Sequence, residues 1–369
     1  MSRWHLLDKS ALAVTMSLCC IGVVLIHSAT QASQLSGILW IKQVVWVMLG
    51  LGFYLVLSQM DYRKLGTHAT FIYLAGVASL VLVLLIGVRI NGARSWFRLP
   101  FLSVQPSEFV KIAVVLVLAK YFSRFQERHS SLLEFLGSCL IVGLPFCLII
   151  IQPDMGTALA YLPFFIVPNF LVGNKESIWV TLGGSLLGIM LVLGVLYKPA
   201  WVFFLKDYQK DRIISFIYPE RDTSNTGYQV HQSKISIGQG GLFGKGVGRG
   251  QQTKLGFLPA QHNDFILAVA AEEIGFVGIA VIFSLFIFLF MRCLTTGVEA
   301  NDTMGSLLVV MVVSTLLVQM LFNAAMLIGL VPTTGIPVPL ISSGGSSLMS
   351  TMGLLGLVQS VRTHRFVNH

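Results

Sequence analysis

The sequence predicts an all-α integral membrane protein: ten transmembrane helices with a long extracytoplasmic loop between helices 7 and 8, residues 1–369 forming a single polytopic membrane domain. Three observations predict it. The chain is 55% hydrophobic and only 11% charged, with a mean hydropathy of +0.79, a composition that fits poorly with a soluble protein. Ten mainly apolar stretches approach the length of about 20 residues that crosses a bilayer. Lys and Arg collect between those stretches, on one side of them. The formal charge of +9 therefore reflects membrane topology and anionic lipid. No basic module with interleaved aromatics is present, so nucleic acid is not an expected partner.

The spans fall near 11–30, 41–58, 69–88, 106–123, 134–151, 155–172, 178–197, 264–290, 305–330 and 341–361. The first run lacks a small-residue cleavage pattern and reads as a retained span rather than a removed signal peptide. An even number of spans leaves both termini on one side. Arg3, Lys9, Arg63, Lys64, Lys120, Arg124, Arg128, Lys175, Arg292, Arg362 and Arg365 share that side, which the positive-inside rule makes cytoplasmic. The five cysteines show neither CxxC nor metal spacing and read as small hydrophobes.

Two external segments break the pattern. "VRINGARSWFRLP" carries Arg89, Arg94 and Arg98, which read either as interfacial arginines or as an anion site. The long loop, 198–263, opens with "WVFFLKDYQKDRIISFIYP", whose mixture of apolar and basic residues resembles a helix lying in the membrane interface. It continues with "SIGQGGLFGKGVGRG". Position 239 is Gln and Lys245 is followed by Gly246, so neither the phosphate-loop pattern nor the dinucleotide fingerprint fits. A tight glycine turn is the expectation, with amides beside Lys245 and Arg249 able to meet a phosphate. No sequence repeat relates the halves, which counts against an inverted-repeat transporter.

Ionisable groups inside spans are costly and mark candidate chemistry. In "SVQPSEFVKIAVV", Pro106 starts a helix and places Glu108 and Lys111 on one face, as a structural pair or as groups ready for a polar substrate. In "IIIQPDMGTALAY", Asp154 stands where it caps the next helix. In "FLPAQHNDFILAVAAEE", Asp264 lies at the outer end of span eight beside His262 and Asn263; it reads as a cap or as a catalytic carboxylate. Glu272 falls about 12 Å deeper along that helix, with Glu273 on the opposite face. Asp264 above and Glu272 below predict a polar cavity opening outward. "GLVPTTGIPVPLISSGGSSLMS" supplies its second wall: its prolines forbid a regular helix there, Ser342 and Ser343 to Ser347 bring hydroxyls and flexible backbone into a span, and irregular backbone at membrane depth is tolerated only where protein or a water-filled cavity satisfies it.

In this order across ten spans, "QPSEFVK", "QPDMGTA", "GYQVHQSKISIGQGGLFGKG", "FLPAQHNDFILAVAAEE" and "GIPVPLISSGGSS" resemble the SEDS family of bacterial cell-wall polymerases. The short termini resemble its elongation members more than its division members. One departure is Ser343, where many members carry Tyr. The resemblance implies a peptidoglycan glycosyltransferase in the bacterial cytoplasmic (inner) membrane, both termini inside and the active site outside. It would join lipid II to nascent lipid-linked glycan, beside a class B penicillin-binding protein that cross-links the strands and other membrane proteins of the elongation complex. It also implies that Asp264 of the "HxDF" motif is the essential acid and that Glu108 and Lys111 are the "PSExxK" pair. Asp264 is then the base for, or the group orienting, the acceptor hydroxyl. Arg94, Arg98, Arg212, Lys111 and Lys234 are candidates for holding diphosphate. Asp264 could share in holding a divalent cation, Mg or Mn, and no organic cofactor is expected. A lipid-linked precursor flippase and a scaffold of the wall-synthesis complex are the competing readings.

Overall fold

Hydrocarbon offers the backbone no hydrogen-bond partner, so apolar runs must close their bonds within helices. The computed structural model describes residues 4–31, 36–90, 93–98, 103–124, 132–172, 183, 216, 226–255, 257–258 and 261–365. In chain order these form α1 (Lys9–Thr30), α2 (Ser36–Gln59), a short α3 (Tyr62–Thr67) and α4 (Ala69–Ile86). Strands β1 (Val88–Ile90), β2 (Ala93–Arg98) and β3 (Ser103–Val104) lead to α5 (Pro106–Ser123), α6 (Leu132–Ile151), α7 (Met155–Leu159) and α8 (Leu162–Val172). The chain continues through α9 (Thr226–Gly240), α10 (Gln251–Lys254), α11 (Ile266–Val298), α12 (Thr303–Leu327) and α13 (Gly345–His364).

Among the described residues, seven stretches are long and apolar enough to cross a membrane, α7 and α8 together making one of them. Helices α5 and α13, of 18 and 20 residues, pack among them but bury polar residues that lower their hydropathy, among them Glu108, Lys111, Ser350 and Gln359. The seventh predicted span, 178–197, lies outside the described residues except for position 183, as does the predicted interfacial helix of the long loop except for position 216.

Two features depart from an all-helical expectation. The arginine-bearing segment folds as an antiparallel sheet in the order β1-β2-β3, with Arg89 opposite Arg94 and Arg98 opposite Ser103. Its strands have three, six and two residues, too few to show a period of two in the sequence. Helix α11 is broken at Gly275, whose φ of 68° and ψ of −169° leave the helical region.

Helices α2 and α13 run parallel in close contact, Gly50 against Leu348 and Met352, Gly353 against Phe53 and Gly356 against the Tyr54 backbone. At one end of the bundle, buried Asp8 caps α1 and pairs with Arg292 at 2.7 Å and Arg362 at 3.4 Å. Gln359 accepts the Asp8 amide at 2.9 Å, and Asp302 accepts from the Tyr62 hydroxyl at 2.7 Å and Arg63 Nε at 2.9 Å. This is the end that the Lys and Arg distribution assigns to the cytoplasm.

Candidate active site

At the other end, two irregular stretches are laced together. Asp264 is half-buried in the turn 261–265 that precedes α11. The N-cap position of α11 falls on Phe265 and makes no side-chain cap bond, so the capping position predicted for Asp264 is taken by its neighbour. Asn323 of α12, fully buried, donates to the Asp264 carbonyl and to the Ile336 carbonyl, both at 2.8 Å. Ser342 Oγ donates to the Asn263 carbonyl at 2.8 Å and accepts the Val338 amide at 2.8 Å. The Ser343 amide donates to the His262 carbonyl at 3.0 Å. Three of these bonds fix the backbone at Asp264 and the two residues before it, so its carboxylate is held by structure that its own charge need not build.

What faces that carboxylate is a glycine. Asp264 Oδ2 lies 3.6 Å from the point a Cβ on Gly335 would occupy, and Gly335 has φ +74°, a conformation natural to glycine. The same turn leans on α7: a Cβ on Gly156 would stand 2.5 Å from the Thr334 carbonyl oxygen. Asp154 caps α7 as predicted, accepting from the Thr157 amide at 3.2 Å, the Thr157 hydroxyl at 2.9 Å and the Gln105 amide nitrogen. Burial raises the Asp154 carboxyl above its ordinary value, against the lowering bonds from Thr157; nearby Glu108 adds to the rise and Lys111 opposes it.

Below this level Glu108 and Lys111 form a 2.7 Å ion pair, both almost wholly buried. The pair is braced by Ser350 Oγ on the Glu108 carbonyl at 2.7 Å and by the Tyr161 hydroxyl on the Ser107 carbonyl at 2.6 Å. Lys111, at 2% exposure, has its ammonium on the Glu108 carboxylate beneath the surface, the geometry of the supporting alternative of its two expected roles. Ser346 links this layer to the sheet, accepting the Gln105 amide at 3.0 Å and donating to the Ser103 carbonyl at 3.3 Å.

The other cations separate. Arg98 is exposed on β2, opposite Ser103 and so beside the Ser346 link. Arg94 turns back to donate from Nε to the Gly87 carbonyl at the end of α4, at 2.8 Å. Lys234, on α9, is set against the turn that follows α12, its Nζ 2.8 Å from the Cβ position of Gly329. Arg212 lies outside the described residues. His262 is half-buried, and burial lowers its pKa, which favours the neutral imidazole.

One expectation fails outright. Glu272 was predicted to face a polar cavity below Asp264; instead it is fully buried and accepts from the Gln252 amide at 3.0 Å, the Thr253 amide at 3.3 Å and the Thr253 hydroxyl at 3.1 Å. Its partners come from a loop about twenty residues earlier in the chain, which helix geometry alone cannot reveal. Sequence reasoning also passed over Asn323, Gln105, Gly156 and Gly335. Asn323 did carry a signal, as an amide inside an apolar run, where polar groups need partners.

The fold and site define a polytopic membrane protein with a half-buried carboxylate centre built from two interlaced irregular turns at one end of a helical bundle. The chain belongs to the FtsW/RodA/SpoVE family of cell cycle proteins, whose family model matches residues 9–366. It is 36% identical over 361 residues to the peptidoglycan glycosyltransferase MrdB of Escherichia coli K12, covering 97% of this chain and 94% of that one. It is 31% identical to the peptidoglycan glycosyltransferase RodA of Treponema pallidum, covering 97% and 98%. Among solved structures, a chain of a peptidoglycan synthase complex that coordinates polymerisation and crosslinking matches with a TM-score of 0.80 at 28% identity, over 98% of this chain and 99% of that one. The rod shape determining protein RodA of Thermus thermophilus matches with a TM-score of 0.72 at 26% identity, over 99% of each chain.

Proposed function

We propose that this protein is a peptidoglycan glycosyltransferase that polymerises lipid II into glycan strands at the outer face of the bacterial cytoplasmic membrane during cell elongation. The observation that carries the reading is Asp264, its turn tethered at residues 262 to 264 and its carboxylate facing Gly335. The names of the relatives supply the reaction class. The proposed topology has ten spans with both termini inside, so the laced turns lie outside.

In the proposed reaction the C4 hydroxyl oxygen of the acceptor sugar attacks the anomeric carbon of a sugar on polyprenyl diphosphate. A C–O bond forms there, the bond to diphosphate breaks with its electron pair, and the hydroxyl proton passes to Asp264. Diphosphate leaves as an anion and needs its charge stabilised rather than a proton, so a single base suffices. Attack opposite the leaving group inverts the anomeric centre. Arg98 on β2 is the exposed cation best placed beside the Ser346 link to meet diphosphate, with Arg212 and Lys234 as further candidates on the loop. Among the described residues no three His, Cys, Asp or Glu side chains converge on a metal site. A divalent cation, Mg or Mn, would be shared between the Asp264 carboxylate and the donor diphosphate, where it would stabilise the leaving charge. A class B penicillin-binding protein is the proposed partner, in keeping with the synthase complex to which the fold is similar.

The test is polymerisation of lipid II by the protein purified with its cognate transpeptidase, native against Asp264→Asn, with products resolved by gel. Polymer from the native complex alone supports the assignment. Polymer from both removes the base, and transport of lipid II without polymer replaces the transferase by a flippase. Normal growth of cells carrying Asp264→Asn would favour a scaffold.

A further inference from the structure

Glu272 and Glu273 are fully buried carboxylates that the proposed reaction does not use, and both face the loop that precedes the site. Glu272 holds the start of α10 through the Gln252 and Thr253 amides and the Thr253 hydroxyl, with Lys245 Nζ 3.6 Å away. Glu273 accepts from the Gly248 amide at 3.1 Å and from the Ser28 hydroxyl of α1. The main chain makes the same connection. With α11 broken at Gly275, the Glu272 and Glu273 carbonyls accept the Lys245 amide at 3.0 Å and the Gly246 amide at 2.8 Å. On the far side of the break, the Phe276 and Val277 amides donate to the Gly241 and Leu242 carbonyls at 2.9 and 3.0 Å. The glycine loop thus plugs the gap in the helix. It fits because Gly244, with φ +75°, passes so close that a Cβ would stand 2.2 Å from the Glu273 carbonyl oxygen.

We propose that Glu272 and Glu273 are positioning residues for the transfer reaction: by clamping the 245–253 loop into the break of α11, they fix the short first segment of that helix, 266–274, and with it the Asp264 turn at its head. This rests on the reading of Asp264 as the reacting carboxylate. The segment has only nine residues, less than an isolated helix needs to be stable in water, and the break at Gly275 uncouples it from the 276–298 rod. Core packing of 266–270 seats the segment, the clamp ties its lower end, and Asn323 with Ser342 tie its upper end. Losing the lower hold leaves substrate binding groups in place but lets the carboxylate drift, and a displacement near 1 Å costs about 100-fold in rate.

The test joins lipid II polymerisation kinetics with amide hydrogen exchange on the complex with the cognate transpeptidase. Glu272→Ala and Glu273→Ala are expected to lower kcat by about 10- to 100-fold with KM within about twofold. Exchange should rise in 245–253 and in 262–268 together. Glu272→Gln, which keeps one acceptor oxygen, should fall between Ala and native in both readouts, and serves if the Ala variants do not fold. Asp264→Asn is expected to abolish turnover without raising exchange in either segment. Exchange that rises in 245–253 alone, with native kcat, overturns the clamp. Active Asp264→Asn together with slow Glu272 variants that exchange fast at 262–268 would refute the base and leave the clamp standing.

Discussion

Replacing Lys111 by Met strands the Glu108 carboxylate inside the bundle. The two groups sit 2.7 Å apart with side-chain exposures of 2% and 5%, so water cannot take the place of the lost cation. Breaking a buried pair by removing one partner costs about 3–5 kcal/mol, because the remaining charge keeps its desolvation penalty. Glu108→Gln in the same background removes that charge; the residual cost is an amide buried with incomplete hydrogen bonding, about 1–3 kcal/mol. The double variant is therefore expected to be about 2 kcal/mol more stable than Lys111→Met alone, and because Glu108→Gln alone strands the buried Lys111 cation in the same way, the double-mutant cycle is strongly non-additive. The assay is unfolding in detergent titrated with SDS, followed by the thiol reactivity of Cys19 and Cys293, both buried in the native bundle. Polymerisation measured alongside should recover in the double variant less than stability does, since Lys111 also lowers the charge burden on Asp154. Additivity within about 0.5 kcal/mol would refute the reasoning, because it would mean that the two side chains do not depend on each other.

Two further outcomes follow from the geometry. Burial alone would raise the Asp8 carboxyl, but the bonds from Ser10, Ala11 and Arg292 and the charge of Arg362 hold it below its ordinary value of 3.8. Its stabilisation is then fully present above that value and disappears as pH falls through the lower folded-state value. Asp8→Asn should cost about 1–2 kcal/mol at neutral pH, discounted for the partial exposure of Arg292, and the difference from native should vanish in acid; an unchanged gap at low pH contradicts the assignment. Gly335→Val puts a branched side chain toward Asp264 at a positive φ, so polymerisation should fall by more than about tenfold while α1 to α13 remain folded, at a strain cost of about 1–2 kcal/mol. Native turnover in that variant would show that the space before Asp264 is not where substrate sits.

Much of the bundle was legible because lipid makes the rules strict: length and hydropathy found the described spans, and Asp154 announced a helix start through its position after Pro153. The break in α11 was not legible. A glycine in "EEIGFVG" is compatible with a continuous helix, and what opens it is a loop that begins more than thirty residues earlier. The same contact misled the reading of Glu272, since a carboxylate's depth along a helix says nothing about which loop reaches it. Asp264 and Ser342 could be singled out from residue type and place, whereas the lacing through Asn323 and the opening at Gly335 depend on the meeting of segments some sixty to seventy residues apart. The sheet around Arg94 and Arg98 escaped because its strands are too short to carry a pattern.

The seam between the two irregular turns lies lower than the helix ends around it. Asn323, which holds Asp264, is four residues short of the end of α12, about 6 Å along its axis. Ile341 touches α1 at Gly22, eight residues below Thr30, about 12 Å down. In the proposed orientation the Asp264 turn is thus set below the outer helix ends, nearer the height at which a lipid's head group joins its tail. For the proposed polyprenyl-linked donor, that height would bring the sugar–phosphate bond to Asp264 while the tail stays dissolved in the leaflet. Turnover would carry no cost for hauling the lipid into water, and the lengthening strand would remain moored to the bilayer throughout synthesis.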